Sequence, residues 1–130
     1  EKNMIHETIY KKLLRIVPEL ADPKFEAKKL KSEGFMDLNI DILSWDAAKD
    51  KCHIALSHYY KHDSGDMIPD PDMEVALYPS RQMAEALSYQ DCFGYRQVYP
   101  EPGKINPRAK KELNSFLNQW LSNIIAQGHR

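Results

Sequence analysis

Cysteine is scarce in this chain: Cys52 and Cys92 are the only two among 130 residues. A disulfide scaffold would carry more of them at closer spacing. The expectation is a pair of unbridged, buried thiols in a reducing compartment, and therefore a cytoplasmic protein. Excess charge of one sign is missing too. Eighteen Lys and Arg against 19 Asp and Glu leave a formal net charge of -1. That supplies no general field for nucleic acid or acidic lipid, which counts against a dedicated DNA-binding domain and leaves only a local basic patch. No apolar run approaches the ~20 residues that span a bilayer, and the N-terminus carries no apolar signal segment. No membrane association is expected.

Chemical signatures are missing as well. There is no glycine loop to cradle phosphate, no dinucleotide fingerprint, no His-Glu-x-x-His, no calcium-loop pattern and no assignable Ser/His/Asp or Cys/His arrangement. No cofactor is expected, and nothing argues positively for catalysis. Internal repeats and low-complexity tracts are absent.

What remains is ordinary globular composition, with 42% hydrophobic and 28% charged residues. The length suits one domain over residues 1–130 and can bury roughly two-thirds of the surface that the unfolded chain exposes. Ile5, Ile9, Leu13, Ile16 and Val17 recur at helical spacing, opposite Lys11, Lys12 and Arg15. The spacing predicts an amphipathic helix that Pro18 stops. Asp22-Pro23 reads as an N-cap and first helical residue, and predicts a short helix from Pro23 to Ser32 that ends at Gly34.

From Phe35 the period changes to two: Met36, Leu38, Ile40 and Ile42 alternate with Asp37, Asn39 and Asp41. Further strands are expected over Cys52–Tyr60, Asp72–Tyr78, Met83–Tyr89 and Tyr95–Tyr99, with His62–Pro71 as a loop. Connections this short favour antiparallel neighbours. Asn106 then caps a helix whose stripe runs Ala109, Leu113, Phe116, Leu117, Trp120, Leu121 and Ile124, up to Gly128. The fold class is therefore α+β, a five-stranded antiparallel meander packed by N-terminal and C-terminal helices.

The densest polar cluster is Asp66, Asp70, Asp72 and Glu74, with His58 and His62 just upstream. Carboxylates and imidazoles together suit a divalent metal, although no ligand spacing is met and Asp70-Pro71-Asp72 is also an ordinary turn. No metal is therefore assigned. Alternation puts His58 with Ile54, Leu56 and Tyr60, so it is expected as a partly buried histidine satisfied by a partner. Glu85 alternates with Met83, Leu87 and Tyr89. Either that face is buried and Glu85 is desolvated, or Ala84, Ala86 and Ser88 face the core and leave Glu85 wet; the second is preferred. Tyr59, Tyr60, Tyr78, Tyr89, Tyr95 and Tyr99 fall on or beside strands and offer an aromatic platform for a partner.

The stretch Pro71-Asp72-Met73-Glu74-Val75-Ala76-Leu77-Tyr78, then Met83-Ala84-Glu85-Ala86, Tyr95–Pro100 and Leu113–Gly128, resembles the uncharacterised bacterial YqiB-like family. The Leu14-Arg15-Ile16-Val17-Pro18 end of the first helix is similar too. This chain departs from the family pattern in its longer Asp22–Gly34 stretch and in the His62–Pro71 loop. The resemblance implies a shared fold and carries over no catalytic residues. The expected function is a non-catalytic binding or adaptor domain using an exposed sheet face or the acidic loop. The alternative is a small metal-dependent hydrolase or nuclease using Asp70, Asp72, Glu74 and His58. A macromolecular partner is expected over a small molecule, and a homodimer through a free edge strand is the third reading.

Overall fold

A computed structural model describes residues 4–61, 63–65 and 67–130, at 60, 61 and 67–70 the backbone alone. Helix α1 spans Met4–Ile16, and its Ile9 and Leu13 are buried. Pro18 opens a 3-10 turn, Pro18–Ala21. Six strands follow, β1 Ala27–Leu30, β2 Leu38–Asp46, β3 Lys51–Lys61, β4 Met67–Tyr78, β5 Met83–Asp91 and β6 Gly94–Gln97, and helix α2 is Pro107–Gln127. The strands lie in chain order, each antiparallel to the next. The architecture is α+β with six strands, one more than the sequence pattern predicts.

The extra strand comes from the segment expected as a short helix. Only Phe25, Ala27 and Leu30 are apolar there, too few for a stripe, and an isolated helix of that length is marginal. Instead Asp22 starts a turn, accepting from Lys24 N–H at 2.9 Å. The chain then pairs with β2, Ala27 opposite Asp41 and Leu30 opposite Leu38. Pairing satisfies the backbone, and Leu30 alone anchors the strand in the core. Strand β4 also begins earlier than expected, at Met67. Pro69 and Pro71 are tolerated because the pairing with β5 starts at Asp72, so this end of β4 is flanked by β3 alone. Phe35 and Met36 precede β2 and are exposed, and so is Cys92, contrary to the expectation of two buried thiols.

Cross-strand register divides the sheet into two faces. On one, Ile40, Leu56, Met73 and Tyr89 make a row, followed by Ile42, Ile54, Val75 and Ala86, then Trp45, Cys52, Leu77 and Ala84. Helices α1 and α2 pack here, and the core closes around Leu13, Leu113, Leu117, Trp120, Leu121 and Ile124. Phe116, at the margin of the α2 stripe, stays partly exposed and meets the Tyr89 ring edge-on at 5.2 Å.

α2 is bounded as its sequence dictates. The Asn106 carboxamide accepts from Ala109 N–H at 3.0 Å, and Gly128 takes a left-handed φ of 75°.

The outer part of β5 would be a bare edge beyond the short β6, and three groups seal it. His6 Nδ1 lies 3.2 Å from Ala84 O, Asn114 Oδ1 accepts from Ala86 N–H at 2.9 Å, and Val98 N–H donates to Leu87 O at 2.8 Å. Helix, strand edge and linker are thus joined by hydrogen bonds as well as by apolar contact. Asn114 also donates to Lys110 O at 2.7 Å. It is a polar residue inside the buried stripe of α2, and that position in the helical period is the sign of its role.

Candidate functional site on the open sheet face

The opposite face carries neither helix. Its rows read Lys29, Asn39, Ser57, Asp72, Gln90 and Tyr95, then Ala27, Asp41, Ala55, Glu74, Ser88 and Gln97, then Ser44, His53, Ala76 and Glu85. The centre is made of small residues. Ser57, Ala76 and Ser88 are buried although no helix covers them, because taller side chains stand around them. The result is a trough with a cavity at each end. One, of about 300 Å³, lies among His53, Glu74, Ser88, Tyr95, Gln97 and Tyr99. The other, of about 290 Å³, lies among Lys29, Asp37, Asn39 and Tyr59. Tyr95 is 54% exposed and Tyr99 is 40% exposed, so their rings are available to a partner.

Glu85 sits at the rim of this face. A β-bulge between the Glu74 and Val75 pairings gives β5 one extra residue, Leu87. Before the bulge Ala84 and Ala86 face the core. After it Tyr89 does, and Ser88 turns outward. Each of the two alternations read from the sequence therefore holds for half the strand.

Glu85 points outward but is not wet: it is 9% exposed, because two phenols lie over it. Tyr78 donates to Oε1 at 2.7 Å, and Tyr99 lies 3.0 Å from Oε2 and 3.2 Å from Oε1. Lys110 Nζ is 3.9 Å from Oε2, a looser charge contact. Burial and the neighbouring carboxylate push Tyr99 up to about 12 and push Tyr78 well above the ordinary phenol value. Both phenols stay protonated and hold Glu85 by neutral O–H donors.

The acidic turn is arranged differently. Asp72 Oδ1 accepts from Ser57 Oγ at 3.0 Å within its row, and Glu74 is exposed one row away. His58 belongs to the other face, so it does not converge with them. Its Nδ1–H donates to Asp37 O at 2.8 Å, and its Nε2 accepts from Trp120 Nε1–H at 3.0 Å. Both ring nitrogens are used by the neutral imidazole, and burial holds its pKa below the ordinary value. Tyr89 packs on the core side and donates to Asp91 Oδ2 at 2.9 Å. The Asp70 and Tyr60 side chains, with Asp66 and His62, lie outside the described residues. Among the described residues no three His, Cys, Asp or Glu side chains gather as metal ligands do.

Pattern reading missed the company of Glu85. Tyr78 and Tyr99 lie 7 and 14 residues away in sequence and meet it only because the β4–β5 turn and the β6 linker bring them together. The nearest sequence sign was the concentration of tyrosine at strand ends.

An antiparallel sheet with both helices on one face and a tyrosine-walled trough on the other defines the class. The chain belongs to the family described as "Domain of unknown function (DUF6908)", which matches residues 8–130. It is similar to "Uncharacterized protein YqiB" of Escherichia coli strain K12, with 37% identity over 60 residues. That match covers 45% of this chain and 43% of the relative, so less than half the length of the curated relative is matched. The proteins of the same title from Escherichia coli O6:H1 and O157:H7 give the same identity and coverage. No solved structure matches the chain. No helix among the described residues is long and apolar enough to cross a membrane.

Proposed function

We propose that this is a non-catalytic binding domain whose uncovered sheet face contacts another protein. One observation carries the reading: both helices pack on one face, and the other keeps a trough of small residues walled by Tyr59, Tyr95 and Tyr99. Tyrosine offers a large rigid surface with a polar tip and is enriched where proteins meet. The charge on this face favours a protein over nucleic acid. Lys29 and Lys51 are outnumbered by Asp41, Asp72 and Glu74, which would repel a phosphate backbone.

A second copy of the chain, pairing through the β1 edge, is the weaker choice of partner. Lys28, Lys29 and Lys31 stand along that edge, and lysines there oppose edge-to-edge pairing. A cytoplasmic setting belongs to the same reading. It is supported by the low cysteine count, two in 130 residues, which is not that of a disulfide-built secreted domain.

The test is comparative capture from the native host with wild type, Tyr95→Ser and Phe116→Ser, the last altering the helix-covered side. The reading expects a protein held by wild type and by Phe116→Ser and lost with Tyr95→Ser. Loss with Phe116→Ser and retention with Tyr95→Ser would overturn it.

A further inference from the structure

At the β5 edge, beside the outer face, a cavity of about 220 Å³ is lined by His6, Tyr78, Arg81, Glu85, Tyr99 and Lys110 among others. Its hydrogen-bonding capacity is unevenly spent. Both oxygens of Glu85 are taken by Tyr78 and Tyr99, and those two hydroxyls have spent their protons on it. His6 Nδ1 is engaged by Ala84 O. The strong donors left are the guanidinium of Arg81 and the ammonium of Lys110. Arg81 makes no ion pair among the described residues; its guanidinium carbon rests 4.4 Å from the centre of the Tyr78 ring. Lys110 stays 3.9 Å from Glu85, beyond a hydrogen bond.

The backbone that carries Arg81 is fixed by its turn. It ends the 3-10 turn Pro79–Arg81, which Gln82 closes in a left-handed conformation at φ 52°. The turn is pinned from across the sheet end, where the Asp50 carboxylate accepts from the Ser80 N–H at 3.2 Å and from the Ser80 hydroxyl. A guanidinium stacked on a ring keeps its N–H edge free, and that edge matches a carboxylate in two parallel hydrogen bonds. A donor already held in place loses less freedom on binding.

Charge then selects the ligand. Two cations against the buried Glu85 leave one uncompensated positive charge, which suits a single negative charge; a phosphate dianion would bring a second one close to Glu85. We propose that this cavity binds a monocarboxylate, with Arg81 gripping both oxygens and Lys110 supplying the second charge. The acid is either a free small molecule or a glutamate side chain of a protein. This cavity shares Tyr99 with the Tyr95 groove, but its test rests on Arg81 and Lys110, which do not line that groove, so the two readings fail independently.

The experiment is an NMR titration of the 15N-labelled chain with sodium acetate, sodium phosphate and sodium chloride at constant ionic strength. Saturable shifts of the Arg81, Glu85 and Lys110 amides are expected with acetate and not with chloride. Arg81→Gln and, separately, Lys110→Gln should each weaken acetate at least tenfold, about 1.4 kcal/mol, while their spectra remain as dispersed as that of wild type. Tighter binding of a blocked Ala-Glu-Ala peptide than of acetate, with blocked Ala-Gln-Ala inert, would support the site and assign it to a protein ligand. Tighter binding of acetate would support it as a site for a free acid. Shifts that do not saturate, that survive both substitutions, or that phosphate reproduces as strongly would overturn the proposal.

Discussion

Asn114→Ala removes the acceptor that Ala86 N–H uses at 2.9 Å in the buried space between α2 and β5. No strand can replace it, because β6 pairs only with residues from Ser88 onward. Leaving one buried N–H without a partner costs about 1–3 kcal/mol. The small void left by the carboxamide adds to this, so about 2–3 kcal/mol is expected, a large part of the ~5–15 kcal/mol that holds a domain folded. At this chain length, between the size classes with known scaling, that lowers the melting temperature by roughly 6–15 °C. The assay is calorimetric or circular-dichroism melting beside Asn123→Ala, an exposed asparagine of the same helix, which should cost under about 0.5 kcal/mol. Hydrogen exchange adds a local readout, since the Ala86 amide should lose protection before its neighbours on β4. Equal melting temperatures for the two variants would refute the idea that Asn114 seals the β5 edge.

Three further outcomes follow from the same geometry. The folded state depresses the pKa of His58 through burial, so unfolded chains bind more protons below the ordinary histidine value of about 6.5. Urea midpoints should fall as pH drops through that value, and the loss should shrink in His58→Phe; a midpoint that is flat from pH 8 to 5 would contradict it. At the alkaline end the sign reverses, because the folded pKa of Tyr99 is raised, to about 12. Its stabilising share is present below pH ~10 and is lost as pH rises towards 12. Ultraviolet titration should show late-ionising phenols, one fewer in Tyr99→Phe. Finally, His58 lies on the face opposite Asp72 and Glu74, so melting with Mg²⁺, Mn²⁺, Ca²⁺ or Zn²⁺ should give no shift that Asp72→Ala removes. A shift lost in that variant would revive metal chemistry.

Much of the architecture is legible in local signals, and the failures have local causes. α2 reads clearly because Asn106, Pro107 and Gly128 mark its ends and its apolar residues keep one period. The turns at Ala47 and Pro79 are equally plain, each closed by a left-handed residue, Asp50 and Gln82. β1 is hidden because Lys28 and Lys29 carry no alternation, and only the pairing with β2 makes it a strand. β5 misleads because Leu87 is an insertion: alternation assumes one residue per register step, and a bulge breaks that count.

The candidate site was legible only in its ingredients. Tyrosines at strand ends and an uncomfortable Glu85 are visible in the sequence. Their meeting is not, since hydroxyl and carboxylate come from β4, β5 and the segment after β6. The trough has no sequence sign of its own, because Ser57, Ala76 and Ser88 become its floor only when the helices choose the other face.

The most direct test of the central claim is photo-crosslinking in the native host, with a benzophenone amino acid placed at Tyr95 in one variant and at Phe116 in another. Binding through the uncovered face predicts a discrete protein adduct from position 95 and none from position 116. An adduct from position 116 alone would place the contact on the helix side and contradict the account.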